Sequence, residues 1–394
     1  MKQLLFITVL GLAGWQLASA QSGSDVKRDG AFWVRTIQGT VDSSSDRLRV
    51  ETTGNVNLRG AATEQIGYQL TLRIRAADER EAQAQLDRVN VKTGTEGGWA
   101  YVKVTPPRLV SSAVDLTVTG PRGLRQVWAE TRGGNVQGSD WDGNFDAQSA
   151  GGEISADRIR GASLLRTAGG DIEVGSVSGA LRCSSGGGGI RVRNAGAAAQ
   201  LETAGGEIFV HQVEGAVQAS TGGGNIRIER AQGTVVARTA GGLIQVQQAD
   251  GPVTAETSGG AIQVNSAKGV RCESAGGAIR LRNVSGALRA FASSGSILAE
   301  LVAGGDTSGR MADSILSTNA GDITVLIPSN LALTVEAINE SGGSGRIHSD
   351  FPQVRTQQGA GPGGPLMAGG ELNGGGPVLR VNVMGGTIYL RRAK

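Results

Sequence analysis

The sequence predicts an all-β protein, a parallel single-stranded β-helix or β-solenoid with 18-residue coils, capped by a β-rich N-terminal unit that holds one short helix. Three observations predict it. An aliphatic residue recurs every 18 residues at Val136, Ile154, Ile172, Ile190, Ile208, Ile226, Ile244 and Ile262, then one residue drops out before Ile279 and Ile297. A glycine pair ends two residues before nearly every member, as in Gly151-Gly152-Glu153-Ile154. Within each unit, apolar and polar residues alternate with the period of a strand that has one buried face. A unit this short cannot bury its own apolar face, so identical units must stack. Right-handed winding follows from the general preference of parallel crossovers.

Residues 1–20 read as a signal peptide. Lys2 supplies the positive start, Leu4 to Leu17 are mostly apolar and uncharged, and Ala18-Ser19-Ala20 fits a cleavage site. The run is too short for a membrane span and nothing later replaces it, so no transmembrane segment is expected. An exported protein, periplasmic or secreted to the cell surface, follows. Aromatics make up only 4% of the chain while glycine reaches 64 residues, too thin a supply for a large globular core. The glycines lack a three-residue period, which excludes collagen. A formal charge of +3 with interspersed signs, and no basic block, gives no support for nucleic-acid binding.

Residues 21–130 form the expected N-terminal cap. It contains longer strands at Tyr68 to Ile74, Ala100 to Val104 and Val114 to Val118, and a helix over Ala77 to Val89 with Asp78 as N-cap. Ala82, Leu86 and Val89 share one face of that helix. Residues 131–300 are the regular coils. In the coil Gly205 to Gly222, Ile208 and Val210 point inward between Glu207, Phe209 and His211. Val213 and Gly215 make a corner, and Val217, Ala219 and Thr221 point inward from a second strand. The glycine pair is expected to supply positive-φ turns and to admit the neighbouring coil without Cβ clashes. Residues 301–394 hold irregular coils, with copies of the repeat at Ser314 to Val325 and Leu379 to Leu390, and a Gly/Pro loop over 357–377 expected to be disordered. A further copy, Leu48 to Leu58, lies near the start, so solenoid-like pairing should run through most of the chain.

Cys183 and Cys272 occupy the same inward repeat position about five coils apart, roughly 24 Å at the inter-strand spacing. Bridging needs Cα atoms within about 7 Å. Both therefore read as small buried hydrophobes, with no disulfide between them.

Little in the chain has the pattern of catalysis. His211 and His348, the two histidines, lie on a solenoid face and in a C-terminal turn, away from any nucleophile arrangement. The glycines are periodic and match no phosphate loop. The repeats are twice a nonapeptide long, but Ile and Val stand where calcium β-rolls place Gly and Asp. No metal or other cofactor is implied. Two constellations remain as candidate binding residues. Glu153 and Asp171 share one outward position in consecutive coils, near the roughly 5 Å carboxylate spacing of retaining glycosidases. Trp128, Trp141 and Phe145 fall in the first coils, where rings beside carboxylates could stack on sugars; buried filler at the cap is the competing role.

The repeated G-G-x-I-x-V units, A-G-D-I-T-V-L-I-P at 320–328, G-R-I-H-S-D-F-P at 345–352 and the closing G-G-T-I-Y-L-R-R at 385–392 resemble the bacterial putative-adhesin family, which overlaps the head GIN domain proteins. The resemblance covers roughly 40 to 392. It implies a β-helical exported protein and brings no catalytic residues with it. The functional expectation is a non-enzymatic, adhesin-like binding or scaffold protein of the bacterial cell envelope. Its partner would be a cell-surface polysaccharide or an envelope protein, with the oligomeric state left open. The alternative is a polysaccharide lyase or hydrolase using the Glu153 and Asp171 face.

Overall fold

A computed structural model describes residues 22–23, 25–41, 44–105, 112–302, 311–341, 346–359 and 363–393, with side chains left aside at 22, 23 and 112. The expected signal peptide, 1–20, lies outside the described residues. The chain forms two long parallel ladders that face each other across a narrow core, with antiparallel strands at both ends.

In the regular region each coil contributes one strand to each ladder. Val217–Thr221 pairs in parallel with Ala199–Thr203 on one side and Val235–Thr239 on the other. Ile208–Val213 likewise lies between Ile190–Ala195 and Ile226–Ala231. Partners are 18 residues apart, as Ile208 and Ile226 are, so equivalent side chains stack in register. Ile208, Val210, Val213, Val217, Ala219 and Thr221 are all buried, while Glu207 and His211 are exposed. The missing residue of the period falls between Ala267 and Val270, at a corner where Gly269 takes φ +97°. Ladder pairing survives that deletion because the bend at Gly269, within the strand Ala267–Ser274, absorbs it by a shift of register.

The glycine pairs act through contact rather than through turn dihedrals. None of the pairs from Gly151-Gly152 to Gly259-Gly260 has φ in the left-handed region, contrary to the positive-φ expectation. The second glycine of each pair instead sits against the backbone of the preceding coil. A Cβ at Gly206 would stand 2.2 Å from the Gly188 carbonyl oxygen, and one at Gly224 would stand 2.0 Å from that of Gly206. The first glycine is open: at Gly205 the nearest atom is 3.7 Å from a Cβ.

A hydroxyl closes the same corner in every regular coil. Thr221 Oγ1 donates to the Gly206 carbonyl at 2.8 Å and accepts from the Gly224 N–H at 3.2 Å. Ser149, Thr167, Ser185, Thr203, Thr239, Thr257 and Ser274 repeat this bridge with their own glycines. The hydroxyl thus satisfies a backbone donor of its own turn and an acceptor of the turn before, in a corner that solvent barely reaches. Cys183 and Cys272 stack inward and are free and buried, as their register requires.

The first coil is already present in the cap. Arg47–Thr52 and Asn55–Ala61 join the two ladders beside Gln126–Thr131 and Val136–Trp141. Beyond them, Phe32–Val41, Ile66–Ile74 and Ser112–Pro121 form an antiparallel layer. The helix spans Glu79–Leu86, shorter than Ala77 to Val89. Asp78 Oδ1 accepts from Glu81 N–H at 2.8 Å and Glu81 Oε2 accepts from Ala77 N–H at 2.9 Å, a reciprocal cap. Ala82 and Leu86 are buried beneath it.

At the other end, Val378–Gly385 and Thr387–Arg392 extend the ladders. The described parts of the stretch 357–377, residues 357–359 and 363–377, depart from the expected disorder. Leu366–Leu372 pairs antiparallel with Leu333–Asn339, and Arg355–Gln358 pairs with it in turn. Ala368 and Leu372 supply the buried alternation that the surrounding Gly and Pro obscure. His348 lies in the strand Arg346–Ser349, stacked on Tyr389 at 5.4 Å, rather than in a turn. At the C-terminal end one ladder thus finishes in antiparallel strands and the other in the short parallel strand Arg346–Ser349, and short or antiparallel ends of this kind blunt pairing with other chains.

Two substitutions within one glycine pair separate contact from conformation. Gly206→Ala is expected to lower the unfolding free energy by about 1–3 kcal/mol through overpacking against the previous coil, whereas Gly205→Ala should change it by less than about 0.5 kcal/mol. Thr221→Val, which keeps the shape and strands two buried backbone groups, should cost about 1–3 kcal/mol, and Thr221→Ser much less. Urea denaturation of the four variants measures all of these.

Candidate functional site

Trp141 and Phe145 are fully buried, so they cannot stack on a ligand. Phe145 takes the inward place that Ser163, Leu181 and Ala199 hold in later coils, and Gly138 makes room for it, since a Cβ there would stand 2.1 Å from the Phe145 ring. Trp141 replaces Ile159 at the next inward position, beneath the junction with the cap. Both are core filler where the solenoid meets the cap. Trp128 does point outward. It is half-buried on the face of the first ladder, with the Arg49 guanidinium 4.5 Å from its ring centre.

Glu153 and Asp171 are exposed at one repeat position, as their spacing required, but their neighbours there explain the acidic character differently. Asn135 Oδ1 accepts from Glu153 N–H at 2.9 Å, and Asp171 Oδ1 accepts from Gly189 N–H at 2.7 Å. Asn225 does the same for Leu243 N–H at 2.8 Å, and Asp322 for Thr387 N–H at 2.8 Å. An Asx side chain at this position therefore covers the N–H that opens the next coil. The Asp171 carboxylate is occupied by backbone, and the amide of Asn serves equally well. What joins the sites is a coil-to-coil bond, not a shared substrate position.

Several other outward side chains pair in the same way. Arg191 pairs with Glu173 at 3.2 Å, Arg238 with Glu256 at 2.9 Å, and His211 Nδ1 lies 2.5 Å from Glu229, each across one coil. These are exposed pairs, each worth at most about 1 kcal/mol.

The strongest electrostatic centre is Asp140, whose side chain is 10% exposed. Arg158 grips it at 2.8 and 3.0 Å, with Arg122 at 3.7 Å and Arg59 at 3.9 Å. The Arg158 hydrogen bonds hold the Asp140 carboxyl down at about 2, against the opposing effect of its partial burial. Both Asp140 and Arg158 have positive φ, +67° and +53°, at equivalent positions of consecutive coils. The cluster fixes the outward bulge of the second ladder next to Trp141. In contrast, burial alone raises the thiols of Cys183 and Cys272 far above their ordinary value, so neither is a nucleophile.

Three surface depressions accompany these features. A polar groove of about 710 Å³ crosses the first ladder near Arg238, Glu256 and Phe291. A more apolar one of about 590 Å³ follows the corner from Asn144 to Val236. The third, about 510 Å³, lies on the cap between Trp99, Tyr101 and Arg49. The hollow beside Asp171, Glu173 and Glu207 amounts to only about 60 Å³. Among the described residues no group of three His, Cys, Asp or Glu side chains is placed to hold a metal ion, and no helix is long and apolar enough to cross a membrane.

The fold is a β-solenoid. Residues 211–363 match the family model described as Toastrack DUF4097, and the resemblance to the putative-adhesin family of bacterial proteins is borne out. Solved structures similar to the chain include a putative adhesin from Bacteroides fragilis NCTC 9343, 16% identical, TM-score 0.31, covering 66% of this chain and 97% of that one. A putative lipid binding protein from Parabacteroides distasonis ATCC 8503 is 14% identical, TM-score 0.28, covering 76% and 98%. A putative adhesin from the same strain is 12% identical, TM-score 0.27, covering 76% and 98%. No curated protein matches the chain.

The Asp140 cluster predicts a pH dependence of definite sign. A carboxyl whose folded value lies below its unfolded value contributes stability above the unfolded value and loses it as pH falls through the folded one. Asp140→Asn should therefore destabilise the protein at neutral pH, by on the order of 1 kcal/mol after solvent screening. The difference from wild type should close between the ordinary Asp value of 3.8 and about 2. Thermal melts of both proteins across that range test it.

Proposed function

We propose that the chain is a non-enzymatic, exported β-solenoid that serves the bacterial cell envelope as an adhesin-like binding or scaffold surface. The observation that carries this reading is the shape of the outer surface. The 590 Å³ groove is lined from six consecutive strands of one ladder, from Asn144 through Val236. At the inter-strand spacing such a groove is roughly 24 Å long. A stacked fold offers elongated, shallow surfaces that suit a polymer or another protein. The family resemblance supports the same reading.

The polysaccharide lyase or hydrolase alternative loses its main support once Asp171 is engaged by the Gly189 N–H and the adjacent hollow is only about 60 Å³. Incubation of the purified protein with isolated envelope polysaccharide should give saturable binding without shortening of the polymer. Glu153→Gln and Asp171→Asn should leave binding, polymer length and stability unchanged. Depolymerisation that disappears in either variant would establish the enzymatic reading instead.

A further inference from the structure

The depression on the cap differs from the other two in its chemistry. Outward side chains of four adjacent strands line up there. Tyr101, Arg49 and Trp128 are direct neighbours across three parallel strands, and Gly94 faces Tyr101 on the antiparallel strand Asn90–Glu96. Trp99 stands beside Tyr101, with the Arg47 guanidinium 5.6 Å from its ring centre. Three half-buried rings thus share one face in a chain that is only 4% aromatic. Gly94 keeps that face low: a Cβ there would stand 3.1 Å from the Tyr101 hydroxyl.

The charges are arranged around the rings. Glu51 takes both Arg49, at 2.7 Å, and Lys103, at 2.6 Å. Burial opposes the ionised form of Glu51, but the Lys103 hydrogen bond and the two cations outweigh it and keep its carboxyl below the ordinary value. One fixed carboxylate therefore serves two cations and leaves them short of negative charge. Lys92, opposite Lys103 in the ladder, is exposed and has no ion pair among the described residues. Glu96 lies at the far side, next to Trp99. The cavity, about 510 Å³, has the size of small-ligand sites.

We propose that this face binds a carboxylated polysaccharide, with Trp99 and Tyr101 stacking on sugar rings and Lys92 and Lys103 receiving the carboxylates. The C–H face of a pyranose packs on an aromatic ring as apolar surface does, while its hydroxyls stay wet. Trp99 and Tyr101 stand two residues apart on one strand, roughly 6.6 Å along it, so the two rings can meet neighbouring sugar units. Glu96 accepts hydrogen bonds from sugar hydroxyls at the edge of the site. A neutral glycan would leave Lys92 without a partner and Lys103 with only the carboxylate that it shares with Arg49. This rests on the reading of the chain as an envelope-binding protein and names the ligand class and the surface.

The test is calorimetric titration of the purified protein with hexagalacturonate and hexaguluronate, with maltohexaose as the neutral probe. Both acidic hexamers should bind, more weakly at high salt, and maltohexaose should not. Lys92→Glu, on an exposed side chain that does not bear on folding, and Tyr101→Ala should each weaken binding by about tenfold or more. Arg238→Ala, in the distant polar groove, should leave it unchanged. Failure of both acidic hexamers to bind, equal binding of maltohexaose, or an unaltered affinity in Lys92→Glu overturns the proposal. Wild-type binding to a different envelope glycan or protein that Lys92→Glu leaves intact would retain the binding function and remove this site from it.

Discussion

Everything in the stack depends on how closely one coil can approach the next at the glycine corner. There the carbonyl of Gly206 lies against the α-carbon of Gly224, with no room for a Cβ, and the Thr221 hydroxyl ties the two turns together. If the corner opened, the strands on either side would lose register at once, because both ladders are hung from it. The apolar interior follows from this constraint. Ile, Val and Ala fill a narrow space whose width the corner sets, and a larger residue is accommodated only where a neighbour shrinks, as Gly138 does for Phe145. The corner is also almost dry, so its polar groups must find one another within the protein, and the hydroxyl is the group that lets them do so.

The same geometry explains how charges on the outer surface come to be paired. Each outward position recurs one strand spacing away, so a charge placed there finds its partner in the adjacent coil. Arg191 with Glu173 and Arg238 with Glu256 are instances, and Asp171 on the Gly189 N–H is the backbone version. A ladder of this kind spends its polar groups on neighbours. Two places go beyond single pairs: Asp140, held by three arginines, and the cap, where antiparallel strands bring Trp99, Tyr101 and Lys92 beside the first coils.

Much of the stack was legible because period and burial are one-dimensional properties. Ile154 through Ile297, the inward Val217, Ala219 and Thr221, and the unbridged Cys183 and Cys272 follow directly from counting residues. The use of the glycines was legible only in part. Their regularity is visible, but a positive-φ turn and a close backbone approach call for the same residue, and only the geometry separates them. The Ser/Thr bridge left a signal that counting could have caught, a hydroxyl three residues before the second glycine of every pair. The binding candidates were the least legible. Trp128, Trp141 and Phe145 look alike in sequence, yet only Trp128 faces outward, because a one-residue difference in parity sends a side chain to the other side of a strand. The Trp99 and Tyr101 face depends on strands that meet only through long-range pairing, which no local pattern announces.

Deleting whole or partial coils tests the central claim most directly. Removal of residues 205–222, one full period from Gly205 to Gly222, leaves every ladder partner and every glycine corner in register. Removal of only residues 205–213 puts the strand Val217–Thr221 where the other ladder should be. Far-UV circular dichroism with thermal unfolding should show a folded, cooperative protein after the first deletion and a loss of cooperative structure after the second. Equal tolerance of both deletions, or collapse after the full-period one, would contradict a fold held together by coil-to-coil register.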